Sequence, residues 1–462
     1  MSTSPLSSSI LSEDTICAPA TAPGGALAII RISGPQALPI VSSVCRCVTA
    51  ATPANTVHYG HIATGSEIID EVMVTIFRSP HSYTGEDSAE ISCHGSRYII
   101  QQILDLLIKQ GCRMANPGEF TQRAYLNGKL DLSQAEAVAD LIASNNKATH
   151  DIALSQLRGH FSSDLSRLRD HLLKLTSLLE LELDFSDHED LEFADRTELL
   201  QLAQQIESHI ARLAKSFETG QALKQGIPVA IVGKTNVGKS TLLNRLLGDD
   251  RAIVSNIHGT TRDTIEDTID IQGVTFRFID TAGIRQTTDE VEQIGIIRTY
   301  QAIAKARIVL WLLDEAPTVT EQQDMQERSE GKKLVIVITK SDKGISLASD
   351  FSFFIPHSSL IQISAKTGQG IEALERSIYQ AADLPTLSSS DVIVTNARHY
   401  DALQCAHVSI LHVLDGLTSG LSGDLLSEDL RQTIDLLSEI TGGQITPQET
   451  LNNIFQHFCV GK

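Results

Sequence analysis

The sequence predicts a multidomain α/β protein: an α+β N-terminal domain, a helical bundle, and a mostly parallel α/β unit inserted into that bundle. Three observations predict it. Short Val/Ile/Leu-rich runs alternate with helical patterns between about residues 227 and 384, as in a parallel sheet covered on both faces. Long stretches with apolar residues at three- and four-residue spacing flank that region on both sides. The length of 462 residues suits about three domains at roughly 150 residues each. The boundaries read are 1–124 for the N-terminal domain, 125–222 and 385–462 for the two parts of the helical domain, and 223–384 for the inserted unit.

In the N-terminal domain, ALAIIRIS at 26–33 and EVMVTIF at 71–77 read as strands, and RYIIQQILDLLIKQ at 97–110 as an amphipathic helix. From about 130 to 220 glycine is rare and proline absent, and DLSQAEAVADLIAS and DLSRLRDHLLKLTSLLELELDF predict long helices. DHEDLEFADR at 187–196 reads as a solvated acidic connection before helix resumes in ELLQLAQQIESHIARLAKSFETGQAL. PVAIVG, FRFIDTAG, RIVLWLLD, KLVIVITKSD and IQISAK supply the strands of the inserted unit. Past Pro385 a Ser-rich linker leads back into helix. Two separate helical domains are the alternative to one interrupted bundle, which is the more economical reading.

The formal net charge of −20 argues against broad electrostatic binding of nucleic acid or anionic membrane, which needs clustered Lys and Arg. It leaves room for a local basic patch, or for a nucleic acid held largely by a partner. The seven cysteines show neither a Cys-x-x-Cys pair nor zinc-type spacing, which suits a reducing cytoplasm. Cys45 and Cys47 would share one face if they lay on a strand. No basic residue precedes Arg31, and the apolar run Ala26 to Ile32 is too short for a signal peptide. No apolar run approaches the length of a membrane span.

Gly233-Lys234-Thr235-Asn236-Val237-Gly238-Lys239-Ser240 matches the phosphate-loop pattern, with a strand before it and a helix from Thr241 to Leu247 after it. The glycines let backbone N–H groups turn toward phosphate oxygens at a helix N-terminus. Lys239 offers a charge to the outer phosphates, and the Ser240 hydroxyl offers a ligand to Mg²⁺. Gly259-Thr260-Thr261 supplies a second hydroxyl ligand for Mg²⁺ at Thr261. Asp280-Thr281-Ala282-Gly283 ends a strand with an acid for the Mg²⁺ shell and an N–H for the terminal phosphate. Each segment alone is a common turn; their order and spacing favour the phosphate site over a chance glycine-rich loop. Thr339-Lys340-Ser341-Asp342 places a carboxylate that can accept both the ring N–H and the exocyclic amine of guanine, an arrangement adenine lacks. Guanine-binding proteins of this class usually have Asn where Thr339 stands. Ser364-Ala365-Lys366 suits the loop that closes over the base.

In Ras-like proteins a glutamine follows the last of these glycines and orients the attacking water; here Ile284 occupies the place and cannot hydrogen-bond. Asn236 could instead hold a monovalent cation at the phosphates, with carbonyl and hydroxyl ligands drawn from the stretch Ser255, Asn256, Ile257, His258, Gly259 and Thr260. Glu292 could orient water, although read cold it is one acid in DEVEQIG, with a solvated helix face the bland alternative.

ATAPGGALAIIRISGP, SYTGEDSAEISCHGS, PGEFTQRAYLNGKLDLSQAEAVADLI and the terminal CVGK, taken with the nucleotide motifs, make the chain resemble the MnmE (TrmE) family over nearly its whole length. Three departures stand out: a segment before ALAIIRISG about one residue short, Thr339 in place of Asn, and Val460 where Ile is common. The resemblance implies an α+β folate-binding-like N-terminal domain that makes a homodimer, a central helical bundle, and an inserted P-loop α/β GTPase domain. It implies 5-formyltetrahydrofolate or a related one-carbon donor bound by the positions matching Arg31, Glu90, Lys129 and Lys462, of which Arg31 and Glu90 would otherwise read as ordinary strand charges. It implies K⁺ on Asn236, Ser255, Ile257 and Thr260, with Glu292 positioning water. It implies a heterotetramer with the flavin-dependent partner MnmG (GidA), which together form the 5-carboxymethylaminomethyl or aminomethyl group on the wobble uridine of certain tRNAs. Cys459 reads better as a small buried residue of the last helix than as a nucleophile. Competing readings are a ribosome-assembly switch protein, which would usually carry a basic RNA-binding module, and a folate enzyme with a vestigial nucleotide domain, which the intact phosphate motifs disfavour.

Overall fold

The computed structural model describes residues 14–65, 67–185, 196–248, 267–279, 292–343, 359–385, 392–443, 448–456 and 458–461. The chain divides into two compact units. One comprises residues 1–143, 153–214 and 398–462; the other comprises 144–152 and 215–397.

The first unit begins with a sheet of β1 (Thr15–Pro19), β2 (Leu27–Ser33), β3 (Thr56–Thr64), β4 (Glu67–Phe77), β5 (Ser88–His94) and β6 (Cys112–Met114) in the order β3-β4-β5-β2-β1-β6. Neighbours are antiparallel except β1 and β6. Alternation sorts its residues: Ile30, Ile32, Val72, Val74, Ile76 and Ile91 enter one core with the inner faces of α1 (Ala37–Val44) and α2 (Arg97–Lys109). The opposite face of β1 carries Ile16 and Ala18, which pack with Phe120 of α3 (Glu119–Leu126). Arg31 pairs with Ala18 across β1 and β2 and therefore stands on that second face. Cys45 and Cys47 do not lie on a strand. They follow the end of α1, yet their Sγ atoms approach to 2.8 Å.

The helical part of this unit draws on both sides of the insertion. It contains α4 (Leu132–Ala143), the end of α5 (Lys147–Leu157), α6 (His160–Phe185) and the first part of α7 (Arg196–Gln225). Leu165, Leu168, Leu172, Leu175 and Leu179 of α6 recur at three- and four-residue spacing and are buried. The C-terminal segments of the unit are α12 (Ala397–Ser419), α13 (Gly423–Thr441) and α14 (Gln448–Phe455). α13 answers α6 with buried Leu426, Leu430, Leu437 and Ile440. Glu136 of α4 accepts from Arg398 Nε at 3.0 Å and meets His399 Nε2 at 2.6 Å, joining segments 262 residues apart. The acidic connection read at 187–196 lies outside the described residues except for Arg196, which opens α7.

The second unit is a sheet of β7 (Ile227–Val232), β8 (Asp267–Ile271), β9 (Val274–Phe278), β10 (Ile308–Leu313), β11 (Lys333–Ile338) and β12 (Ser359–Gln362), ordered β12-β11-β10-β7-β9-β8. All pairs are parallel except β8 with β9. Both faces are covered, which explains the unbroken apolar run of β10. Ile308, Leu310 and Leu312 share a core with Leu242 and Leu246 of α8 (Lys239–Leu247) and with Leu374 and Ile378 of α11 (Ile371–Ala381). Val309, Trp311 and Leu313 face the other way, toward Ala302 and Ile303 of α9 (Glu292–Lys305) and Met325 of α10 (Val319–Arg328).

This unit is wider than the stretch 223–384 read from the sequence. Ile152, Leu223 and Ile393 enter the same core as Ile227 and Phe276. Asn146 Nδ2 donates to Thr275 Oγ1 at 2.8 Å, and Val394 N donates to Ser216 Oγ at 3.0 Å. Gly220 allows this last approach, since a Cβ there would lie 2.1 Å from the Val394 carbonyl oxygen. Among the described residues, no helix is long and apolar enough to cross a membrane.

Candidate functional site

β7 lies between β10 and β9, so the chain leaving its carboxyl end emerges at the point where the strand order changes direction. Ligands of open α/β sheets sit at such points. Two glycines shape the loop. Gly233 has φ +154, and a Cβ there would fall 2.6 Å from the Leu312 carbonyl oxygen of β10. Gly238 precedes the helix in the left-handed region at φ +105. Asn236 is also left-handed, at φ 63, a conformation asparagine tolerates better than most residues. α8 starts at Lys239, two residues earlier than the sequence reading, so the N–H groups of Lys239, Ser240 and Thr241 belong to its open first turn.

Lys239 curls back over the loop: its Nζ donates to the carbonyls of Gly233 at 2.6 Å and Lys234 at 2.7 Å. Burial holds its pKa below that of an ordinary lysine. Lys234 points elsewhere, pairing with Glu315 at 2.7 Å and Glu321 at 3.1 Å. Asn236 and Thr241 are exposed, Val237 is buried, and Ser240 is half-buried.

The second loop follows β11. Thr339 is 3% exposed, and its hydroxyl donates to the Val237 carbonyl of the phosphate loop at 2.8 Å. Lys340 Nζ meets Asp314 Oδ2 at 2.6 Å. Ser341 N donates to the Ile363 carbonyl at 3.1 Å, bringing in the chain that follows β12. There Ser364 Oγ donates to Asp342 Oδ1 at 2.8 Å, and this hydrogen bond holds the Asp342 carboxyl below its usual range. Ala365 and Lys366 follow directly. The phosphate loop, Thr339–Asp342 and Ser364–Lys366 are thus gathered at the carboxyl ends of β7, β11 and β12.

Ser255, Asn256, Ile257, His258, Gly259, Thr260 and Thr261 lie outside the described residues, as do Asp280, Thr281, Ala282, Gly283 and Ile284. Glu292 is the first residue of α9; its side chain is likewise outside what is described.

In the first unit, Arg31 and Glu90 are direct partners across β2 and β5. Glu90 Oε1 accepts from Arg31 Nε at 2.9 Å and from Nη2 at 2.8 Å. Both line a cavity with Phe77, Tyr83, Thr84 and Ser88. The Arg31 guanidinium also lies 5.5 Å from the Tyr83 ring centre and 5.7 Å from that of Phe120. Its Nη1 donates to the Gly461 carbonyl at 3.2 Å. Gly461 is pressed so closely on β1 that a Cβ would meet the Pro19 oxygen at 2.2 Å. The next residue, Lys462, lies outside the described set. Lys129 is exposed and does not line the cavity; its stem packs on Gly85, beside Thr84, and its Nζ donates to the Pro80 carbonyl at 3.0 Å.

Sequence reasoning missed the rest of this wall. Tyr83 and Thr84 sit in the SYTGED segment between β4 and β5, and only that run of small and polar residues hinted at a shaped turn. It also missed a chain of polar groups behind the wall. Ser33 Oγ donates to Glu86 at 2.7 Å, and the buried Arg123 contacts Glu86 at 3.2 Å, Asp14 at 2.7 Å and Glu119 at 3.1 Å. Cys459 corrects its sequence reading. It lies beyond α14 and is exposed rather than buried, because the chain turns at Phe458 to lay Gly461 on β1.

Known proteins match the chain over nearly its whole length. A family profile described as the GTP-binding protein TrmE N-terminus matches residues 15–129, and one described as the MnmE helical domain matches residues 132–459. The tRNA modification GTPase MnmE of Bacteroides thetaiotaomicron is 53% identical over 467 residues, covering 98% of this chain and 100% of that protein. The protein of the same name from Bacteroides fragilis strain YCH46 is 54% identical over 473 residues, with the same coverage. That of Flavobacterium johnsoniae is 48% identical over 471 residues, again with 98% and 100% covered. Because those relatives are matched through the N-terminal sheet, the nucleotide unit and the helices on either side of it, the chain belongs to the MnmE (TrmE) family.

Proposed function

We infer that this chain hydrolyses GTP as its part in tRNA modification. The observation that carries the reading is the joining of a lysine-bearing phosphate loop to a base loop whose carboxylate is held by Ser364. An ionised Asp342 is acceptor-only, which suits the two N–H groups on the guanine edge. Ser240 is a hard oxygen ligand of the kind Mg²⁺ takes, and Thr261 is its proposed companion. Mg²⁺ bound there would neutralise charge on the outer phosphates. Lys239 and the first-turn N–H groups of α8 hold the phosphates in line. Family membership gives no support to the ribosome-assembly reading.

Base choice provides the test. Asp342→Asn replaces two acceptors with one acceptor and one donor, which suits xanthine better than guanine. Losing hydrogen bonds to a charged group, each worth about 1.5–3 kcal/mol, should weaken GTP binding by roughly 10²-fold or more. Xanthosine triphosphate should bind the variant more tightly than it binds the wild type. Nucleotide titrations that leave GTP affinity unchanged would remove Asp342 from the base site.

The finer reading has four parts. K⁺ assists hydrolysis through Asn236, Ser255, Ile257 and Thr260. The N-terminal domain takes 5-formyltetrahydrofolate or a related one-carbon tetrahydrofolate at Arg31, Glu90, Lys129 and Lys462. Two copies form a homodimer through that domain. A heterotetramer with a flavin-dependent partner of the MnmG (GidA) type holds the tRNA and forms the 5-carboxymethylaminomethyl or aminomethyl group at the wobble uridine. The cavity wall suits a flat, N–H-rich ring, since it combines the Phe77 and Tyr83 rings with the Glu90 carboxylate. Arg31→Ala should therefore weaken 5-formyltetrahydrofolate binding by about 10-fold or more, from the loss of charged hydrogen bonds. GTP turnover in isolation should stay near wild type. Calorimetry showing equal folate affinity in Arg31→Ala and wild type would dissociate the cavity from the folate.

A further inference from the structure

We propose that Cys45 and Cys47 form a reversible oxidation site, in which Cys47 exchanges with a small-molecule disulfide and Cys45 displaces the adduct to close an intramolecular bond. Their Sγ atoms lie 2.8 Å apart, in direct contact. The two thiols differ in access. Cys45 is wholly buried, whereas Cys47 is half-buried. A reagent in solution therefore meets Cys47 and not Cys45. The fold holds the pair in this arrangement. Cys45 caps α1, its N–H donating to the Val41 carbonyl at 2.9 Å, and it forms an antiparallel bridge with Ile62 of β3. Cys47 Sγ lies 3.9 Å from the His58 carbonyl of the same strand. Gly60, between those two residues, leaves the space: a Cβ there would fall 2.5 Å from Cys47 Cβ and 2.8 Å from its Sγ. β3 is the outermost strand of its sheet, so the turn that carries the thiols covers an otherwise open edge and Cys47 stands at the rim of the core.

The chemistry balances in two exchanges. Cys47, as its thiolate, attacks one sulfur of the small disulfide RSSR; that S–S bond breaks, and the departing thiolate takes up the proton Cys47 lost. Cys45 Sγ then attacks Cys47 Sγ of the mixed disulfide, and the second RS⁻ departs with the proton of Cys45. Two protein thiols are oxidised by two electrons in all, and one RSSR is reduced to two RSH. Burial, with Cys45 beside it, pushes the Cys47 thiol up to about 12, so little thiolate is present at neutral pH and entry is slow. Closure joins groups already in contact and is fast by comparison. The mixed adduct at Cys47 therefore does not accumulate. The other cysteines each lack one half of this arrangement. Cys17, Cys93 and Cys112 are buried and offer no point of entry. Cys405 and Cys459 are exposed, but among the described residues neither has a second thiol in contact, so an adduct formed there stays.

The test is incubation of the full-length protein with glutathione disulfide, then alkylation in denaturant and peptide mass measurement with a protease that spares Arg46. In wild-type protein the peptide carrying Cys45 and Cys47 should be lighter than its reduced form by two hydrogen atoms, with neither glutathione nor an alkyl group on it. Dithiothreitol should restore both thiols. Cys405 and Cys459 should carry glutathione, which shows that the reagent is competent. Cys45→Ser removes the resolving thiol, so glutathione retained at Cys47 should rise by about tenfold or more over wild type. Cys47→Ser removes the point of entry, and Cys45 should then stay reduced. Wild-type protein in which both thiols remain open to alkylation after Cys405 and Cys459 have reacted would overturn the proposal. A stable glutathione adduct at Cys47 of the wild type would overturn it as well, and neither readout needs a variant to fold.

Discussion

Lys239→Ala is expected to lower GTP turnover by at least about 10³-fold, beyond the 10²–10³ typical of losing one neutral donor, because a fixed positive charge is lost. Among the described residues, the neighbouring lysines of the two loops are engaged elsewhere. Lys239 Nζ is folded over the loop between the Gly233 and Lys234 carbonyls, where bound phosphates would replace those oxygens as its acceptors. Lys234 is already held by Glu315 and Glu321, and Lys340 by Asp314. Burial disfavours the charged form of Lys239, and the phosphates would repay that cost by pairing with it. The fold should tolerate the change, since the lysine bonds only to loop carbonyls that α8 does not need for its helical ladder. Phosphate release at saturating GTP is the measurement, with a thermal melt as the control. Turnover within tenfold of wild type, in protein that melts normally, would mean that the loop does not hold the reacting phosphates.

The parts of this molecule legible in its sequence are those whose cause is local. A strand, a glycine turn and a helix follow one another at Ile227–Leu247, and each announces itself within a few residues. β10 reads as a buried strand because six consecutive apolar residues leave no polar face. What could not be read depends on partners far along the chain. Ile152 and Ile393 look like ordinary helix and linker residues, and only the core around Phe276 assigns them to the nucleotide unit. Arg123 and Asp14 are 109 residues apart, so nothing near either one foretells their pairing. Family resemblance alone singles out Arg31 and Glu90; the cross-strand register that opposes them is a property of the sheet. The neighbours of Cys459 suggest helix, while its exposure is set by where Gly461 must lie against Pro19. Thr339 stands where asparagine is usual. In the structure its hydroxyl has a partner in the phosphate loop that no local pattern records.

GTP hydrolysis is further expected to depend on potassium. The motivation is a residue that cannot do the usual work: Ile284, where Ras-like proteins have a water-orienting glutamine, has no hydrogen-bonding group. Something else must then stabilise the transition state, since Lys239 supplies a grip that is already present in the ground state. Asn236 is the exposed, left-handed residue at the tip of the phosphate loop, so its amide oxygen is available as a ligand beside the phosphates. Ser255, Ile257 and Thr260, which lie outside the described residues, are the proposed remainder of an oxygen ring. A potassium ion held there would offset the charge that an arginine finger offsets in related enzymes, an effect on the order of 10³–10⁵ in rate. Sodium is smaller, and a ring sized for potassium should hold it poorly. Turnover should therefore be fast in KCl and slow in NaCl at equal ionic strength, and Asn236→Ala should abolish the difference by bringing the KCl rate down to the NaCl rate. Glu292, at the start of α9, should act on water rather than on phosphate, so Glu292→Ala should slow hydrolysis while nucleotide affinity stays within a few-fold of wild type. Equal rates in the two salts, for wild-type protein at saturating GTP, would end the cation mechanism and return the search to residues that could orient water without it.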